Sequence, residues 1–198
     1  MGMLIDEVPT SVLIDGVSYE INWDFRYSVM FETLMLDPSV SDEEKLVKAL
    51  NLYYPVIPTN IDVAVDKILW FYQRGHIDTE KSKGKGKGGK TKRVYDYAHD
   101  DAYIYSAFLD QYGVDLQDDQ IHWWKFKAMF EALSNETEFV KIMGYRSIKI
   151  TNSMTKSQRE FYTDMKRIHA LPQPKCEVQK TKAIEEALLN GGDLSAFL

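Results

Sequence analysis

The sequence predicts a mainly α-helical protein: an N-terminal β-hairpin followed by a bundle of about six helices. Three observations predict it. Apolar residues recur at helical spacing over most of the chain. Helix-capping residues stand ahead of several of these runs. Period-two alternation is confined to one short stretch around Asp15-Gly16. Hydrophobic residues make up 44% of the 198 positions, enough to bury a substantial core, so a disordered chain is excluded.

Ser11 to Ile21 reads as two β-prone runs joined at Asp15-Gly16, a dipeptide that supplies the positive φ angles of a tight turn. Next, Tyr27, Met30, Phe31 and Leu34 mark a helix capped by Asp24 and stopped at Asp37-Pro38. Ser41 and Glu44 have capping-box spacing before a second helix, which carries Leu46, Val47, Leu50 and Tyr53 and ends ahead of Pro55. Asn60 caps a third, bearing Ala64, Val65, Ile68, Leu69 and Tyr72, with Gly75 as its stop.

His76 to Arg93 alternates Lys and Gly and offers no apolar face, so residues 76–94 are expected to be a flexible linker between a hairpin-plus-three-helix part (1–75) and a second helical part (95–171). Helical character resumes at Tyr95 and stops at Gly113. A further helix, expected to be capped by Asp118 or Asp119, carries Ile121, Trp123, Trp124, Phe126, Phe130 and Leu133. Its apolar residues cover more than one face, which marks it as the core helix. A short helix over Thr137 to Tyr145 follows, then one opened by a Thr155/Gln158 capping box and closed by Pro172 and Pro174. Residues 172–198 form a tail with a short amphipathic piece around Ala183, Ile184, Ala187 and Leu188.

Cys176 is the sole cysteine, which excludes an intrachain disulfide and suits a reducing compartment. No targeting signal or membrane-length apolar run is visible, and a cytoplasmic location is expected. The formal net charge is −6 although Lys81 to Arg93 holds seven basic residues and no acidic one. The remaining body is strongly acidic and would repel a phosphate backbone, so nucleic acid is not expected as the principal ligand.

Gly84 to Thr91 matches the G-x-x-x-x-G-K-[ST] phosphate-loop pattern. Such a loop follows a buried strand and opens a helix. The polar run His76 to Lys83 cannot supply that strand, and low-complexity Lys/Gly sequence fits the expression by chance. His99-Asp100 is the dipeptide at the centre of some metal-dependent phosphohydrolase sites, with His76, His122 and Asp118 as conceivable additions, but no ordered spacing supports a metal pair. Neither a catalytic residue nor a cofactor or metal is expected. The paired Trp123 and Trp124 diverge by about 100° on a helix. Either the helix is sandwiched between others, the more economical reading, or one ring is left for a partner.

The runs Tyr95-Asp-Tyr-Ala-His-Asp-Asp-Ala-Tyr-Ile-Tyr-Ser-Ala-Phe108, Gln111-Tyr-Gly-Val-Asp-Leu116, Ile121-His-Trp-Trp-Lys-Phe126 and Ile142-Met-Gly-Tyr-Arg146 resemble a family of tailed-phage proteins. That family is encoded near the tape measure gene in siphophages of Gram-positive hosts. The resemblance covers about Val12 to Leu171. It implies a tail assembly chaperone in the host bacterial cytoplasm, a non-enzyme that binds the phage tape measure protein until tail tube subunits polymerise around it. The tail tube protein and a second copy of the chain are further candidate partners; a structural head-tail connector or tail completion protein is the alternative. Trp123, Trp124, Tyr145 and Arg146, in the segment of greatest resemblance, are the expected partner-binding residues, since Trp and Arg dominate many interfaces.

Overall fold

In the computed structural model, residues 3–76 and 93–172 are described. Strand β1 (Ser11–Ile14) pairs antiparallel with β2 (Val17–Glu20), Ile14 opposite Val17 and Ser11 opposite Glu20. The turn needs left-handed backbone, which Asp15 (φ 49°) and Gly16 (φ 82°) provide. Val12 and Ile14 point into the core and Leu13 outward, so the pleat seals the hairpin onto the helices through one face of β1.

Seven helices follow among the described residues: α1 (Phe25–Leu36), α2 (Asp42–Tyr53), α3 (Ile61–Tyr72), α4 (Asp101–Tyr112), α5 (Trp123–Glu131), α6 (Glu138–Ser147) and α7 (Lys156–Ile168). Their starts follow capping chemistry. Asp24, Ser41, Asn60, Thr137 and Thr155 each accept a backbone N–H of the first turn. The Thr155/Gln158 box closes in both directions, at 3.2 and 3.0 Å. Ser41 is only half a box: its hydroxyl accepts the Glu44 amide at 3.3 Å, and the return bond from Glu44 is not formed.

Two starts differ from the sequence expectation. Helix α4 begins at Asp101 rather than Tyr95, because the Asp96 carboxylate accepts the Ala98 and His99 amides and holds the preceding residues in turns. Helix α5 is capped by His122, not by Asp118 or Asp119. The Asp119 carboxylate accepts the Asp115 amide instead, closing its own loop, while His122 Nδ1 accepts the Trp124 amide at 3.0 Å. At the far end of α3, Arg74 and Gly75 are left-handed and the Gly75 amide bonds back to Trp70 O. A Cβ at Gly75 would stand 3.1 Å from the Trp124 ring.

Side chains from Val8 to Tyr72 and from Tyr95 to Met143 contribute to one hydrophobic core. Helix α5 stands at its centre, with Phe126 stacked on Phe25 (4.5 Å between centroids) and Phe108 (4.9 Å), and Trp123 stacked on Tyr72 (5.4 Å). The starts of α1 and α5 are bridged through backbone: Phe25 donates to Ile121 O and Trp123 to Trp23 O, both at 2.8 Å. Helix α7 differs from the rest. It packs on α6 and buries no residue completely.

Candidate interaction surface

The four expected partner residues fall into two places. Trp123 (0% exposed) and Trp124 (2%) are interior. Their indole N–H groups donate to adjacent carbonyls at the end of α3, Trp123 to Tyr72 O at 2.8 Å and Trp124 to Phe71 O at 2.7 Å. A helix leaves its last carbonyls without intrahelical donors, and the divergent tryptophan pair supplies two. The pair therefore fastens α5 to the C-terminus of α3. Rings so buried offer a partner no surface in this conformation, and the expectation of a free tryptophan is corrected by the α3 carbonyls that both rings serve.

Arg146 is also interior. Its guanidinium meets Asp100 through two bonds, Nη1 to Oδ2 at 2.6 Å and Nη2 to Oδ1 at 2.8 Å. Nη1 further donates to Val94 O (3.0 Å), and Nε to His169 O (2.6 Å). Burial raises the Asp100 carboxyl, but the guanidinium and the Asp96 amide more than offset it and hold it below the usual value of 3.8. One side chain thus ties α6 to the entry of α4, to the strand of chain at Val94 and to the end of α7. Tyr145 is half-buried, with its ring between Phe161 (6.1 Å, edge-on) and His169 (5.9 Å, stacked). Tyr145 and Arg146 together form the seat of α7.

The histidine–aspartate pair is taken apart by the fold. Asp100 is occupied by Arg146 and His99 is exposed. With Nδ1 accepting the Trp124 amide, His122 Nε2 carries the proton and donates to Pro9 O at 2.9 Å. Burial pushes the His122 pKa down, keeping this ring neutral. Among the described residues no group of three or more His, Cys, Asp or Glu side chains is placed to hold a metal ion. Gly84–Thr91, Cys176 and the Ala183–Leu188 piece lie outside the described residues.

A second polar network was not legible in the sequence. Glu32 on α1 accepts the phenols of Tyr72 (2.5 Å) and Tyr95 (3.1 Å), and the Lys127 ammonium on α5 lies against Tyr95 and over the rings of Trp123 and Phe130. Burial lowers the Lys127 pKa; burial and Glu32 raise Tyr95 to about 12. These groups stitch α1, α3 and α5 together, leaving their charges engaged with neighbours. A Glu in an amphipathic helix gives no sign of partners 40 and 63 residues away.

Exposed apolar side chains occur at several places, among them Leu13, Val47 and Val56. On α7, Phe161 is 48% and Ile168 59% exposed, seven residues apart and so on one face. A groove of about 630 Å³ opens between Val94, the end of α6 and Lys166. Among the described residues no helix is long and apolar enough to cross a membrane.

The sequence matches the family described as Bacteriophage Gp15 protein over residues 4–171. No curated protein and no solved structure matches. The matched span reaches from the chain preceding the hairpin through α7 and takes in the Arg146–Asp100 pair and the tryptophan fastening; this chain therefore belongs to the bacteriophage Gp15 protein family.

Proposed function

We propose that this bacteriophage protein, a structural or assembly component by its family, is a non-catalytic tail assembly chaperone. It binds the phage tape measure protein in the host cytoplasm and keeps it soluble until the tail tube polymerises. The observation that carries this reading is α7: an amphipathic helix that buries no residue completely and leaves Phe161 and Ile168 exposed. Such a face is half of an interface, and an apolar-faced helix of a long, aggregation-prone partner is the complementary half. The acidic charge of the chain as a whole would help a decorated complex stay in solution. The titratable groups Asp100, His122 and Glu32 are engaged in holding backbone and helices, which supports an interaction protein over an enzyme.

The test is co-expression with the tape measure protein of the same phage. The full chain is expected to hold it soluble and to co-purify with it. Phe161→Asp/Ile168→Asp should lose about 2 kcal/mol or more of binding, roughly thirtyfold, and Ile168→Asp alone, which spares the edge-on contact of Phe161 with Tyr145, should weaken binding with little change in melting temperature. A double variant that binds like the parent, or purified virions that contain the protein in fixed copy number, would overturn the reading.

A further inference from the structure

The hairpin has an open edge along β2. In an antiparallel ladder, opposed residues alternate between pairs that exchange backbone bonds and pairs whose groups face away from each other. The Ile21 amide donates to Thr10 O at 3.0 Å, so Tyr19 and Val17, in phase with it, bond across to β1, and Ser18 and Glu20 turn their N–H and C=O groups outward. At Asn22, next in that series, the outward amide is taken by Tyr53 O at 2.8 Å. Among the described residues no backbone group bonds those of Ser18 or Glu20. Native edges are commonly blunted by proline, lysine or a bulge; β2, though short, has none of these and pairs in unbroken register.

A cavity of about 610 Å³ opens beside this edge. Ser18 and Glu20 line it together with the half-buried rings of Trp23 and Tyr27 and with Pro55, which follows closely on the carbonyl that takes the Asn22 amide. Glu20 and Asp24 are its only charged lining residues; Asp24 is paired with Arg26, and Glu20 has no cationic partner among the described residues. The surrounding chain has the same sign: residues 1–24 hold five acidic side chains and no Lys or Arg. Aromatic walls beside a carboxylate suit the stem and charged head of a lysine or arginine. A second copy of β2 is a poor match, since pairing about a two-fold axis would bring one acidic hairpin against another.

We propose that β2 accepts an extended, basic segment of a partner protein as a third strand, through the N–H and C=O groups of Ser18 and Glu20, with Lys or Arg side chains toward Glu20, Trp23 and Tyr27. Main-chain bonds along the edge would hold the segment, and the acidic, aromatic cavity would select its charge. This surface shares no residue with the Phe161/Ile168 face and stands independently of the partner proposed there.

A short synthetic peptide of alternating lysine and valine, added to the full chain, tests it. Saturable binding is expected, with slowed hydrogen exchange at the Ser18 and Glu20 amides and little change at Tyr19, whose amide already bonds to β1. Ser18→Pro removes only an outward amide, so it should weaken the peptide about tenfold with an unchanged melting temperature. Glu20→Lys should weaken it as much, and a peptide with glutamate in place of lysine should not bind. The exchange readout needs no substitution, so it decides whatever Ser18→Pro does to folding. No saturable binding, exchange at Ser18 and Glu20 that the peptide leaves unchanged, or a folded Ser18→Pro or Glu20→Lys protein that binds like the parent would each overturn the proposal. So would protection of the same amides that rises with protein concentration in the absence of peptide, because the edge would then belong to a second copy.

Discussion

Arg146→Ala tests the seat of α7 and the unity of the fold together. The substitution removes two bonds to a carboxylate that is 0% exposed and one bond each to Val94 O and His169 O. Asp100 would keep the Asp96 amide as its remaining partner. Breaking a buried ion pair from one side costs about 3–5 kcal/mol, mostly because the surviving charge is stranded. For a chain of this size each kcal/mol shifts the melting point by about 2–4 °C, so a drop of roughly 10 °C is expected at neutral pH. Asp100→Leu/Arg146→Leu should recover part of it, since an apolar pair leaves no stranded charge.

The pH dependence has a definite sign. The folded Asp100 carboxyl titrates below its ordinary 3.8, so the pair's contribution is complete above that value and is lost as pH falls through the lowered one. The gap between parent and Arg146→Ala should therefore narrow as pH falls below the ordinary 3.8, in thermal melts followed by circular dichroism. A variant melting within about 2 °C of the parent at pH 7, or a gap that does not narrow in acid, would refute the assignment.

Two further outcomes follow from the same geometry. Trp124→Ala should cost about 3–5 kcal/mol in urea unfolding, whereas Trp124→Phe should cost about 0.5–1.5 kcal/mol, because the Phe71 carbonyl loses the indole donor but keeps the Arg74 amide. A Trp124→Ala protein as stable as the parent would show that the ring is not core. His122→Asn keeps an oxygen acceptor at the α5 cap but removes a ring whose pKa is lowered by burial. In the parent, the stability from neutral His122 is present above pH 6.5 and declines as pH falls below it. The Asn variant should therefore show a flatter stability profile from about pH 7 to pH 5, measured by urea midpoints; equal slopes would count against the buried neutral ring.

What the sequence alone determined is local. The Asp15-Gly16 hairpin, the caps at Asp24, Asn60 and Thr155 and the left-handed stop at Gly113 each depend on groups within a few residues, so spacing reveals them. The central place of the Trp123–Phe130 helix was legible for a related reason: its apolar residues cover more than one face, which only a sandwiched helix can bury. Even short-range reading failed where several acids compete. Asp96 held a turn and delayed α4, and Asp119 bonded to Asp115 and left the α5 cap to His122.

Only the tertiary structure decided what the tryptophans, Arg146 and Glu32 do. Trp124 meets Phe71 O across 53 residues, Arg146 meets Asp100 across 46, and Glu32 meets Tyr95 across 63. An indole or guanidinium has the same chemistry whether it faces a partner or an internal carbonyl, so residue type points to binding strength without saying to whom. Packing α5 against the end of α3 placed two carbonyls of its last turn, Phe71 O and Tyr72 O, beside two adjacent indoles, and that turned an expected outer surface into an inner joint. The same packing left α7 on the outside, with Phe161 and Ile168 exposed.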